Sequence, residues 1–197
     1  MIPIILLAAG ASTRMRGRDK LLEEVDGVPL LLRQAQVARA VSHQVLIALP
    51  PRPHPRYTLV ADLDVTKVEV ADASEGMGAS IRTAFAALPA GAGKAMLLLA
   101  DLPEITQSDL TTLIAATLAT PEALIWRGAT EDGKPGHPII FDRSLFADLT
   151  QLTGDGGGQS VVKAATGRVH LVPLPGQRAR LDLDTPEDWA AWRARRT

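Results

Sequence analysis

The chain has 197 residues, 46% of them apolar, a formal net charge of −1 and no cysteine. That length suits a single domain spanning 1–197 with a sizeable core; the near-neutral charge gives no reason to expect a nucleic acid or an acidic membrane as partner, and the lack of cysteine excludes a disulfide framework and thiolate zinc sites. No apolar run approaches a membrane span, and the apolar start lacks the basic segment of a secretory leader, so the expected setting is cytoplasmic.

Ile2–Leu7 is an apolar run of the kind buried on both faces of a parallel sheet. It leaves through Ala8-Ala9-Gly10-Ala11-Ser12, residues so small that a ligand can approach the peptide N–H groups. Arg14, Arg16, Arg18 and Lys20 then place four cations within seven residues. Bare amides followed by clustered positive charge describe a polyphosphate site, although a basic run is more usually a solvated surface. Two other phosphate motifs fail on spacing. Gly10 and Gly17 are too far apart for G-x-x-x-x-G-K-[ST]. The dinucleotide fingerprint needs G-x-G-x-x-G and an acid ending the second strand, and the chain has Gly10 alone and then Pro50-Pro51.

Asp26-Gly27 marks a turn, and Pro29 opens a helix that runs to about Val41. Gln44–Leu49 is the second strand; the four prolines of Pro50–Pro55 make a surface loop. Lys67–Ala71 is a third strand, followed by a helix whose apolar face carries Met77, Ile81, Ala84, Phe85 and Leu88. Ala95–Ala100 is a buried strand ending in Asp101, a carboxylate at the edge where open α/β sheets bind ligands. Thr106 and Asp109 form a capping box for a helix with Leu110, Leu113, Ile114 and Leu118 inward, so Asp101 is not needed as a cap. Ala123–Trp126 is a further strand. Near the end, Asp182 and Asp184 alternate with leucines and project from one side of a strand. Two like charges so placed are tolerable with a cation near them. Thr185, Pro186 and Asp188 then start a helix that turns Trp189 and Trp192 to the core. Strands alternating with helices predict an α/β, three-layer Rossmann-like fold with a mainly parallel, mixed sheet.

Leu7-Ala8-Ala9-Gly10-Ala11-Ser12-Thr13-Arg14-Met15, followed by Lys20-Leu21-Leu22, resembles the signature L-A-A-G-x-S-x-R-M-G-x-x-K-L-L. That signature belongs to the MobA-like nucleotidyltransferases, in their molybdenum cofactor cytidylyltransferase (MocA-like) branch. Arg16 stands where the family usually has Gly, with Gly17 one place later. Further elements follow in family order. Gly76-Met77-Gly78-Ala79-Ser80 resembles G-M-G-x-S, Asp101 the acid of L-A-D-M-P, and Asp132 to Ile139 the element D-G-x-P-G-H-P-[IV]. Leu152 to Gln159 resembles L-x-G-D-x-G-A-R with Gln159 in place of Arg, and Leu181 to Asp188 resembles D-I-D-T-P-E-D-L.

The resemblance implies transfer of a CMP moiety from CTP to the terminal phosphate of the molybdenum-pterin cofactor, with release of pyrophosphate and dependence on magnesium (Mg2+). It implies that Leu7, Ala8, Ala9, Gly10, Ser12, Arg14, Lys20, Gly76, Gly78 and Ser80 bind the nucleotide, and that Arg14, Lys20 and Asp101 are catalytic. Gly136, His137, Pro138 and Asp155 are implied at the acceptor, and Asp101 with Asp182 or Asp184 at the metal. Ala9 occupies a position that is Gly in the guanylyl-transferring relatives. A molybdoenzyme or its chaperone is the implied protein partner. Guanylyl transfer, another phosphate acceptor, or a non-catalytic nucleotide-binding maturation protein are the alternatives; intact Asp101 and Asp182 argue against the last.

Overall fold

The apolar runs become strands of one sheet. A computed structural model describes residues 1–196. In chain order the elements are β1 (Ile4–Leu7), β2 (Glu24–Val25), β3 (Val28–Pro29), α1 (Leu30–Arg39), β4 (Val45–Leu49), α2 (Arg56–Leu59), β5 (Thr66–Glu69) and α3 (Met77–Ala86). There follow β6 (Lys94–Leu99), α4 (Gln107–Ala119), β7 (Ile125–Ala129), β8 (Pro135–Asp142), α5 (Phe146–Leu149), α6 (Gln159–Ala164), β9 (Val169–Pro173) and α7 (Pro186–Ala194). The seven-stranded sheet has the order β5-β4-β1-β6-β8-β7-β9, while β2 and β3 form a separate hairpin. β1, β4, β5 and β6 run parallel. β8 is antiparallel to both β6 and β7, so its first residues lie at the same sheet edge as the last residues of β1 and β6.

β1 is central, and its alternate residues feed two cores. Ile4 and Leu6 pack with Leu30, Leu31, Leu110, Leu113, Trp189 and Trp192 from α1, α4 and α7. Ile5 and Leu7 pack with Ala79, Ile81 and Phe85 of α3 and with Leu149 and Val161 of α5 and α6. A strand with helices on both sides must be apolar at every position, which is why Ile2–Leu7 shows no polar alternation. Phe85 meets Phe141 and Phe146 edge-on at 5.9 and 5.3 Å, the offset geometry that aromatic quadrupoles favour. Thr106 and Thr185 cap α4 and α7 with both bonds of the capping box, as expected from Asp109 and Asp188. No helix among the described residues is long and apolar enough to cross a membrane.

Three expectations are corrected. Leu118 is 82% exposed. The buried stripe of α4 is Leu110, Leu113 and Thr117, and a residue eight places after Leu110 is turned roughly 80° from it at 3.6 residues per turn. Met77 is 43% exposed because it is the first residue of α3 and overhangs a cavity rather than the core. Residues 181–184 form no strand; Asp182 and Asp184 lie on an irregular segment leading into the cap of α7.

Candidate active site

The small-residue turn after β1 is held from beneath. Ala8 donates its amide to Ala48 O at 2.9 Å, so that N–H is spent within the sheet region and is not bare. The amides of Ala9, Gly10 and Ala11 make no backbone bond and remain open. A Cβ at Gly10 would meet nothing within 4 Å, so the protein's own packing does not demand glycine there. Further along, Ser12 and Arg16 both take left-handed conformations, φ 52° and 53°, on either side of a single helical turn at Thr13–Met15. Arg16 thus adopts the backbone shape that glycine adopts freely.

The four cations separate. Arg16 pairs with Glu187 at 2.6 Å and Arg18 with Glu23 at 3.2 Å, both at the surface and away from the cavity. Arg14 and Lys20 line a cavity of about 460 Å³ at the carboxyl ends of β1 and β6. Leu7, Ala8, Ala9 and Gly10 line it from the turn, Gly76, Ser80 and Asp155 from the α3 side, and Asp101, Asp182 and Asp184 complete it. Lys20 Nζ donates to Asp101 Oδ2 at 2.5 Å and to Asp184 Oδ1 at 2.7 Å, while Arg14 Nη2 reaches Asp184 Oδ2 at 2.7 Å. Burial works against the Lys20 charge, but the two carboxylates outweigh it and hold its pKa above the ordinary value. Asp182 behaves oppositely: burial and then the Asp184 carboxylate beside it push its pKa up. Asp184, despite burial, is held down by Lys20.

A buried network that sequence reading did not foresee fixes the turn. Arg56, 1% exposed at the start of α2, donates to Ala8 O at 2.7 Å, to Ser12 Oγ at 3.1 Å, and with a two-pronged grip to Asp19 at 2.7 and 2.8 Å. Asp19 also accepts from Ser12 Oγ at 3.2 Å and from the Leu21 amide at 3.0 Å. Ser12 therefore faces this bolt and does not line the cavity. The only sequence signal was an acid beside Lys20 and an arginine closing the proline-rich loop.

The glycines before α3 have a structural use. Any Cβ on Gly76 would collide with the Asp155 side chain, and one on Gly78 would lie 2.6 Å from Gly154 O. The Gly78 amide donates to that same oxygen at 2.8 Å. Glu75 accepts from Arg82 at 2.8 Å and from the Gly154 amide at 3.0 Å, which holds its carboxyl down at about 2. Gly76 and Gly78 thus let the 152–155 loop close over the start of α3 and bring Asp155 to the cavity. Gly78 itself does not line it.

Gly136, His137 and Pro138 open β8 behind Asp101 and do not line the cavity. His137 is half-buried, with its Nδ1 buried and without a partner; burial, then Arg127, push its pKa down to about 4, against a smaller opposing pull from Asp101. Below its ordinary value near 6.5 the unfolded chain takes up a proton that the folded chain refuses until about pH 4. Its contribution to stability is therefore complete above pH 6.5 and lost as pH falls through that window. Between pH 7 and 4.5, His137→Asn is expected to lose about 2–3 kcal/mol less stability than the parent in urea titrations; equal losses would show that His137 is not held neutral.

The MobA-like NTP transferase domain matches residues 4–169 of the chain. The chain is a member of this nucleotidyltransferase family. Within the family, it is 30% identical over 191 residues to a probable molybdenum cofactor guanylyltransferase of Synechococcus elongatus, covering 94% of this chain and 95% of the relative. A 119-residue match at 31% identity is made with the bifunctional protein GlmU of Leifsonia xyli, of whose length this chain spans only 24%. Among solved structures, Rv0371c of Mycobacterium tuberculosis superposes with a TM-score of 0.82 at 28% identity, covering 97% of this chain and 96% of that one. The same protein has also been solved in complex with manganese.

Proposed function

We propose that this MobA-like nucleotidyltransferase moves a CMP moiety from CTP to the terminal phosphate of the molybdenum-pterin cofactor and releases pyrophosphate. The observation that carries the reading is the Lys20 ammonium, 2.5 and 2.7 Å from Asp101 and Asp184 beside the open amides of Ala9 to Ala11. Those amides, with Arg14 and Lys20, suit the triphosphate. Nothing in the protein's packing crowds Gly10, so the ligand itself is what a side chain there would meet.

The carboxylates also fit a hard divalent cation. Asp101, Asp182 and Asp184 share the cavity, and Asp101 Oδ1 is buried with no hydrogen-bond partner. Among the described residues no ready-made cage of three ligands exists, and the Lys20 ammonium lies between two of the acids. Magnesium takes few carboxylates alongside phosphate oxygens and water, so a partial site completed by the nucleotide suits it. When bound, such an ion neutralises charge on the α-phosphate and on the departing pyrophosphate. Lys20, released from the carboxylates, would face the α-phosphate and stabilise charge developing there. An acceptor phosphate oxygen forms the new bond to the α-phosphorus as the bond to the β-phosphate oxygen breaks. That oxygen is already ionised near neutrality, so no side chain need take a proton.

Guanylyl transfer is the second reading, favoured by the name of the Synechococcus relative. Ala9 is 5% exposed and lines the cavity, where its methyl narrows the wall that a base must meet. One methyl discriminates by only about 10–200-fold, so kcat/KM for CTP is expected to exceed that for GTP by about that factor. The assay is pyrophosphate release with each nucleotide, magnesium and the pterin acceptor; preference for GTP would replace the cytidylyl reading with the guanylyl one.

A further inference from the structure

The loop that carries Asp155 is poorly equipped to hold its own shape. Gly154, Gly156, Gly157 and Gly158 surround the acid, and Gly154 and Gly157 take φ values of 65° and 53°. Glycine loses more conformational freedom on ordering than any other residue, so such a segment needs ties from outside to stay in one place. Among the described residues, three hydrogen bonds tie it to the segment 75–82. Arg82 Nη1 donates to Leu152 O at 2.6 Å, the Gly154 amide donates to Glu75 at 3.0 Å, and the Gly78 amide donates to Gly154 O at 2.8 Å. Two of these end on one ion pair, for Arg82 also donates to both oxygens of Glu75, at 2.8 and 3.2 Å.

The pair is not spent on the helix or on the wall of the cavity. Gly76 begins α3 with no side-chain cap, so Glu75 does not serve as one. Both side chains keep contact with solvent, and an exposed ion pair adds little to the stability of a whole domain. Ser74 and Gly76, on either side of Glu75, line the cavity, whereas Glu75 and Arg82 do not. The pair stands behind the wall and reaches across to the loop.

Asp155 differs from the other acids of the cavity. Asp101 and Asp184 are bonded to Lys20, and Asp182 lies beside Asp184. The Asp155 carboxylate lies over Gly76 and lines the same cavity, with no ion pair or hydrogen bond of its own among the described residues. Such a group can accept from a hydroxyl or amino group of a substrate, but it repels a polyphosphate that comes too near. Its position therefore matters to within about an ångström, and misplacement on that scale can cost about a hundredfold in rate.

We propose that Glu75 and Arg82 are positioning residues: clasped to each other, they hold Leu152 and Gly154 and so fix the Asp155 carboxylate on the cavity wall. This rests on the nucleotidyl-transfer reading only where turnover is measured, and it names neither base nor acceptor.

The test joins hydrogen exchange to a double-mutant cycle. In Glu75→Ala the Gly154 amide is expected to exchange about tenfold faster or more, as loss of a bond to a charged acceptor allows. The urea midpoint should stay near that of the parent, because the pair is exposed. Glu75→Ala, Arg82→Met and Asp155→Asn should each raise KM for the same substrate more than they lower kcat. In the Asp155→Asn background, Glu75→Ala should add no more than about twofold. Calorimetric affinity for the α,β-methylene analogue of the nucleotide should fall no further in Glu75→Ala than in Asp155→Asn. Unchanged exchange at Gly154 would overturn the proposal, as would losses that multiply in the double variant. So would a lowered urea midpoint with kcat falling in step, the mark of a merely structural pair. If the parent turns over no acceptor, the transfer reading fails, and exchange with calorimetry decides the clasp without it.

Discussion

Asp101→Asn is expected to lower metal-dependent turnover on the order of a hundredfold or more, the scale set by removing one preorganised charge from a transition-state site. The substitution keeps shape and deletes only the charge, at a position that no helix cap requires. Asp184 would still hold Lys20 at 2.7 Å, so the apo protein should melt within a few degrees of the parent. Calorimetric titration with manganese plus the α,β-methylene nucleotide should show weakened metal uptake in parallel with the lost activity. Full magnesium-dependent turnover in Asp101→Asn would remove the carboxylate cluster from the mechanism altogether.

Arg56→Met is expected to cost about 3 kcal/mol of stability, near the lower end for breaking a buried charge pair because Asp19 keeps some solvent contact. Removing the guanidinium leaves the Asp19 carboxylate half-buried beside nothing positive and takes the donor from Ala8 O. Despite burial, the hydrogen bonds and charge of Arg56 now hold the Asp19 pKa below its ordinary value. The variant should therefore protonate Asp19 more readily, and adding Asp19→Asn should recover part of the loss. Urea unfolding of the two single variants and the double variant gives the coupling directly. If the single variants simply add, the grip on Asp19 contributes nothing. Nucleotide affinity should also fall in Arg56→Met, because the turn that carries the open amides loses its anchor.

The sheet was legible because buried parallel strands advertise themselves: β1, β4 and β6 are nearly continuous apolar runs, and each lies within a residue or two of its expected bounds. The capping boxes at Thr106 and Thr185 were legible for a different reason, since both partners are three residues apart in sequence. What sequence could not show depended on pairs far apart in the chain. Arg16 and Arg18 looked equivalent to Arg14 and Lys20, and only Glu187 and Glu23 reveal that the first two are spent elsewhere. Arg56 gave no local sign of turning inward, because what stabilises it is Asp19. The alternation of Asp182 and Asp184 suggested a strand, yet no strand pairs with that segment, which stays irregular up to the cap of α7. The glycines at 76, 78 and 136 were noticed as motif letters, but their structural reason is the passage of the 154 and 179 segments across them.

The central place of β1 has a consequence for how this protein comes to be able to bind anything. Ile4 aligns with Val45 on one side and with Met96 on the other. The strand that presents the small-residue turn is thus assembled from contacts remote in sequence, and loop-closure entropy opposes each of them until the sheet collects itself. A partly folded chain has no finished turn, because β6, the proline-loop arginine and the segment before α7 must all have arrived. A ligand that needs the finished cavity would then select the completed fold alone. Any ligand of the cavity will draw the population away from partly ordered states in proportion to its concentration over its dissociation constant, acting on the chain as a thermodynamic chaperone.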